Sequence, residues 1–156
     1  MSKFLSKKFA SLVPYTPGEQ PKDRKFIKLN TNESPFPPSE KAKEGARKAA
    51  ESLMLYSDPE CTALHRAFAE VYGLKPSQVI ATNGSDEILN FAFMAFCDEK
   101  KGIAFPSISY GFYPVFAKLN GIPYEEIALG EDFSVNYKDY VGIGKNIVAT
   151  NNITTH

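Results

Sequence analysis

The sequence predicts an α/β fold with a mostly parallel central sheet, and three observations lead there. From position 78 onward, short apolar segments alternate with segments of helical length, the pattern of strands joined by crossover helices. Before them, residues 40–72 read as helices. The chain of 156 residues is 43% hydrophobic and 13% aromatic, enough apolar material for a core and unlike the composition of a disordered chain.

The elements follow in order. Residues 1–10 carry Lys3, Lys7 and Lys8 among Phe4, Leu5 and Phe9. They hold no apolar run of signal-peptide length and read as an N-terminal arm. Residues 22–38, with Pro35, Pro37 and Pro38, are polar and proline-rich, so an extended connection is expected where helix and strand are both disfavoured. Ser39 offers an N-cap to a helix over 40–53, whose alanines and alternating charges suit a solvent-facing position. Tyr56, Ser57, Asp58 and Pro59 form a turn, and a helix over 61–72 closes at Gly73. A strand is expected over 78–82, then a helix over 86–97, a strand over 102–105, and a helix over 110–120 closing at Gly121. Residues 122–129 and 146–149 supply two further strands. Within the first of those sheet-covering helices, residues 88–96 are apolar except for Asn90. Such a helix calls for burial on all sides, which predicts a larger body or a subunit interface over it.

Charge and cysteine content narrow the function classes. The 18 basic and 18 acidic residues balance and interleave along helical stretches, which argues against a nucleic-acid or membrane surface. No segment approaches the roughly twenty apolar residues of a membrane span. Cys61 and Cys97 fall in helical segments without metal-type spacing. Reduced, buried thiols and a cytoplasmic location are expected. His65 stands alone on a helix and His156 is terminal, so no metal site is predicted. Asn32-Glu33-Ser34 and Asn152-Ile153-Thr154 match the glycosylation pattern by chance, since no secretory signal accompanies them.

The stretch that carries chemistry is Asn83, Gly84, Ser85, Asp86, Glu87, after an apolar strand candidate and at the opening of the apolar helix. Gly84 allows a tight backbone turn there. The first amide hydrogens of the helix, with its dipole, then face the loop as an anion site, and the Ser85 hydroxyl adds a donor. Equally compatible with the spacing is a plain cap of the helix by Ser85 or Asp86. Nucleotide loops do not fit: no G-x-G-x-x-G follows a strand, and Gly142-Ile143-Gly144-Lys145 lacks both the earlier glycine and the following Ser/Thr of a P-loop.

Taken together, the motifs resemble the histidinol-phosphate aminotransferases. Leu29-Asn30-Thr31-Asn32-Glu33-Ser34-Pro35, Tyr56-Ser57-Asp58-Pro59, the segment from Asn83 to Glu87, and Pro106-Ser107-Ile108-Ser109-Tyr110 occur in that family's order and at about its spacings. Val13-Pro14-Tyr15-Thr16-Pro17-Gly18 is similar to its N-terminal arm. The resemblance runs from about Phe9 to Val148. It implies part of a fold-type I aminotransferase, divided as an arm and extended segment over 1–38, a helical segment over 39–75, part of the large α/β domain that binds pyridoxal 5′-phosphate over 76–149, and a tail over 150–156 that departs from the pattern.

By the same resemblance, Gly84, Ser85 and Asp86 hold the cofactor's 5′-phosphate and Tyr110 stacks on its pyridine ring. An aromatic platform there is worth about 0.5–1.5 kcal/mol beyond burial; the plain alternative is a core tyrosine. Tyr56 is implied to reach the cofactor phosphate of the neighbouring subunit in a homodimer, although Ser57 replaces the family's usual proline beside it. Tyr15 and Asn32 are implied at the substrate site, each with an ordinary structural role as the alternative. The implied reaction moves an amino group between L-histidinol phosphate and 2-oxoglutarate in histidine biosynthesis. Related readings are a threonine-phosphate decarboxylase-like enzyme or an aromatic aminotransferase and, from another class, a non-catalytic phosphate-binding or interaction module. The family's cofactor-bearing lysine, its aspartate at the ring nitrogen and its substrate-binding arginine match nothing among these residues, so no catalytic residue is assigned. The Asn-Pro-Asn-x-Pro-Thr-Gly turn is also not matched by Ala149 to His156. The expectation is an interrupted reading frame or a truncated chain, inactive alone.

Overall fold

The computed structural model describes residues 33–150 together with Phe4, Ser6, Phe9 and Ile27. Two compact units divide the chain, one over Glu33–Asn83 and one that contains everything described from Gly84 onward.

In the first unit, Ser39 stands in an extended conformation and its Oγ accepts from the Ala42 amide at 3.2 Å. Helix α1, Glu40–Ala50, begins there as expected. It stops three residues short of position 53, because Glu51, Ser52 and Leu53 bond to carbonyls three residues back and tighten into turns. Helix α2, Thr62–Tyr72, is opened by a residue outside it: the Asp58 carboxylate accepts from the Glu60 amide at 3.0 Å and the Thr62 amide at 2.8 Å. Gly73 closes α2 with φ 66°. The strand expected over 78–82 is not formed. Pro76–Gln78 is a single 3₁₀ turn, and residues 79–82 have no ladder partner among the described strands. Ile80 is exposed in consequence, since an apolar run becomes a strand only where another backbone satisfies its amides and carbonyls.

The second unit is the α/β part. Helix α3, Ser85–Phe96, leads to strand β1, Ile103–Pro106, then helix α4, Phe112–Asn120, strand β2, Tyr124–Ile127, and strand β3, Ile147–Val148. The three strands form one parallel sheet with β1 in the middle, Ile103 opposite both Tyr124 and Ile147. All four residues of β1 are buried, which is why that strand reads as an uninterrupted apolar run. Phe93 of α3, Ile103 and Phe105 of β1, Tyr113, Phe116 and Ala117 of α4, and Ile122 make the core.

Gly102 sets the entrance to the sheet. A Cβ there would lie 1.8 Å from the Pro123 carbonyl oxygen, and Gly102's own carbonyl accepts from the Asn146 amide at 3.0 Å. Only a glycine lets the three strands start this close together.

Helix α3 is covered on one face by the described residues. Leu89, Phe93 and Cys97 face the core at helical spacing, while Phe91, Met94 and Phe96 are exposed. Strand β1 and helix α4 supply the residues packed against the covered face. The cysteines are also a correction: Cys61 and Cys97 are free and half-buried, not fully buried, and they cap α2 and α3 instead of lying inside them.

Candidate functional site

Strand direction and helix direction together define where a ligand can sit. At its C-terminal end α3 is tied to the start of the sheet, with the Cys97 thiol 3.6 Å from the Gly102 carbonyl and the Asn146 side chain donating to the Phe96 carbonyl at 2.7 Å. Its N-terminus is therefore carried to the opposite end, where the parallel strands finish. There the Tyr110 hydroxyl donates to the Asp86 carboxylate at 2.5 Å, a bond between residues 24 positions apart. The N-terminus of α3 and the loop after β1 are thus brought to the carboxyl edge of the sheet, the edge at which open α/β sheets take their ligands.

Gly84 is the N-cap of α3, with φ 84° and ψ 179° and no side-chain capping bond. That backbone region is almost closed to residues with a Cβ. The simple alternative, a helix capped by Ser85 or Asp86, is not what the backbone does: both lie inside the first turn. Ser85 is exposed there, and Asp86 and Glu87 complement the helix dipole. Because those side chains are acidic, an anion would be held at this turn through amides and the Ser85 hydroxyl.

Tyr110 is half-buried at the end of the loop that follows β1. Its ring lies 5.5 Å from that of Phe112 and 5.7 Å, edge to face, from that of Tyr113. Tyr113 is buried in turn and touches Phe105 and Phe93. Burial holds the Tyr113 phenol above its ordinary pKa, so it stays neutral under the site. The loop is anchored at its start by the Ser107 amide, which donates to the Ile127 carbonyl at 2.8 Å.

Gly84, Ser85, Asp86 and Tyr110 are therefore placed together. Tyr56 belongs to the other unit, where its ring is fully exposed. Tyr15 and Asn32 lie outside the described residues. The Tyr110–Asp86 bond is the feature that sequence reasoning missed, since nothing in the spacing of two residues 24 apart signals a contact. Asp58 as the opener of α2 was missed as well, although an aspartate four residues before a helix is a recognisable cue. Elsewhere, an open cleft at the start of the strands is lined by Asp98, Glu99, Lys100, Asn120 and Gly121. Among the described residues no group of three His, Cys, Asp or Glu side chains could hold a metal, and no helix is long and apolar enough to cross a membrane.

Residues 24–153 match the model of the family "Aminotransferase class I and II". The histidinol-phosphate aminotransferase of Clostridium acetobutylicum is 45% identical over 152 residues, covering 97% of this chain and 43% of that protein. The protein of the same name from a Marinomonas species is 48% identical over 153 residues, again 97% of this chain and 43% of the relative. The chain spans less than half the length of the curated relatives it matches. Among solved structures, histidinol-phosphate aminotransferase from Sinorhizobium meliloti in complex with pyridoxal-5′-phosphate aligns with a TM-score of 0.61 at 22% identity, over 65% of this chain and 28% of that one. An aminotransferase from Helicobacter pylori aligns with a TM-score of 0.61 at 26% identity, over 82% of this chain and 38% of that one. With a family match along most of its length and a fold similar to those structures, the chain belongs to the class I and II aminotransferases, of whose fold-type I architecture it forms a part.

Proposed function

We propose that these residues supply the phosphate and ring contacts of a pyridoxal 5′-phosphate-dependent aminotransferase acting on L-histidinol phosphate with 2-oxoglutarate, in histidine biosynthesis. The observation that carries the proposal is the junction of the α3 N-terminus with Tyr110 at the carboxyl edge of the sheet. The names of the relatives at 45% and 48% identity support the choice of substrate.

The residues present fit the cofactor. A phosphate needs converging donors and room for the backbone to approach; Gly84 gives the turn, and no neighbouring atom lies within 4 Å of where its Cβ would be. A flat, electron-poor ring needs an aromatic face, and Tyr110 stands one hydrogen bond from that turn. When bound, pyridoxal phosphate stores the electrons released when the substrate's α-proton leaves. The part of this chain is to bind and orient: the amides of Ser85 and Asp86 hold the phosphate, and Tyr110 sets the plane of the ring. Tyr56 would reach the phosphate of the neighbouring copy in a cytoplasmic homodimer. Tyr15 and Asn32 would line the substrate site. None of the lysines here stands in the family's cofactor-bearing context, so these 156 residues alone carry no amino transfer.

The test adds pyridoxal phosphate to the purified chain, follows its visible absorption, and reduces the mixture with borohydride before peptide mapping. Saturable binding that Ser85→Asp abolishes, without attachment at one particular lysine, is the expected result. Stoichiometric attachment at a single lysine would overturn the assignment of inactivity. Absence of saturable binding would overturn the cofactor site.

A further inference from the structure

Asp86 has a side chain engaged separately from its backbone, and the two point to different parts of one ligand. Its amide belongs to the first turn of α3, beside Gly84. Its carboxylate accepts the Tyr110 hydroxyl at 2.5 Å, the length of a charge-assisted O–H···O⁻ bond. The Tyr110 ring is held besides by Phe112 and, edge to face, by Tyr113. A ring fixed at its hydroxyl and braced by two neighbours has little freedom left at either side-chain torsion.

We infer that Asp86 is a positioning residue that sets the register between the phosphate cradle and the aromatic platform, its carboxylate tying Tyr110 to the first turn of α3. The inference rests on the functional reading above and adds to it the role of a side chain. Without the carboxylate the amides of the turn remain and the phosphate is still held. The ring then meets a tyrosine that has lost the restraint at its hydroxyl, and the platform is less well ordered before binding. A phosphate group without a ring is indifferent to that restraint.

The experiment measures binding of two probes to the full chain. Pyridoxamine 5′-phosphate carries the ring and phosphate without an aldehyde to react with surface lysines, and inorganic phosphate reports on the cradle alone. Asp86→Ala and Tyr110→Phe should each weaken pyridoxamine phosphate by about 2–10-fold, the range open to one aromatic contact. Inorganic phosphate binding should not weaken in either. The double variant should be no weaker than either single one, because both remove the same bond. Asp86→Asn, which keeps an acceptor for the hydroxyl, should recover most of the affinity and guards against a folding defect in the alanine variant. Parallel losses for both probes, or additive losses in the double variant, would overturn the positioning role. Unchanged pyridoxamine phosphate affinity in both single variants would do the same. If the unaltered chain binds no pyridoxamine phosphate, the functional reading itself falls and takes this inference with it, an outcome distinct from binding that ignores the substitutions.

Discussion

Gly84 holds φ 84° and ψ 179° with open space where its Cβ would be, so an alanine there is penalised by backbone conformation and by nothing else. Gly84→Ala should lower the unfolding free energy of the α/β unit by about 1–3 kcal/mol, measured by urea denaturation. Asp58 works through charge. The Thr62 hydroxyl and amide, followed by the Glu60 amide, hold its carboxyl below the ordinary aspartate value. Because the folded value is the lower one, the stabilisation is present above the unfolded pKa of about 3.9 and is lost as pH falls through the folded value. Helical circular dichroism followed from neutral to acid pH should therefore show a loss in the unaltered chain that is flatter in Asp58→Asn. The motif residues were legible at this scale because glycine, serine and aspartate have narrow local uses. Their pairing with Tyr110 was not, because it is made by two elements meeting in space.

Among elements, α3 separates composition from burial. Phe93 is 1% exposed and Phe96 is 64% exposed, three residues apart on the same helix. Phe93→Ala should cost about 3–5 kcal/mol, as large deletions in packed cores do, whereas Phe96→Ala should stay within about 0.5–1 kcal/mol in the same unfolding assay. A far larger effect at Phe96 would mean that a further surface covers that face in solution. The helix and its apolar character are written in the sequence; which of its faces is covered depends on where α4 and β1 lie. Strand assignment follows the same division. Residues 103–106 and 124–127 pair along a ladder and are strands, while 79–82, apolar in part, join no ladder among the described strands.

At the scale of the whole molecule, the exposed apolar side chains of each unit should govern solution behaviour. Leu64, Phe68, Val71 and Tyr72 are exposed on α2, and Phe91, Met94 and Phe96 on α3. Apolar patches of this kind bind dyes and promote association. The purified chain should enhance the fluorescence of an anilinonaphthalene dye before any unfolding, and combined Met94→Gln and Phe96→Gln should reduce that signal while leaving the urea midpoint nearly unchanged. A dark dye would show these faces to be covered in solution.

Local chemistry by itself determined which segments form the long helices, roughly where they begin and end, and that a glycine turn opens α3. Ser39, Gly73, Gly84 and Gly121 each act within a few residues of their position, so their effects can be read along the chain. Only the tertiary structure decided that Gly102 must lack a side chain, that Phe93 of α3 is buried while Phe91, Met94 and Phe96 are exposed, and that Tyr110 is bonded to Asp86. Each of those depends on atoms distant in sequence and adjacent in space, and a linear pattern carries no distance between them.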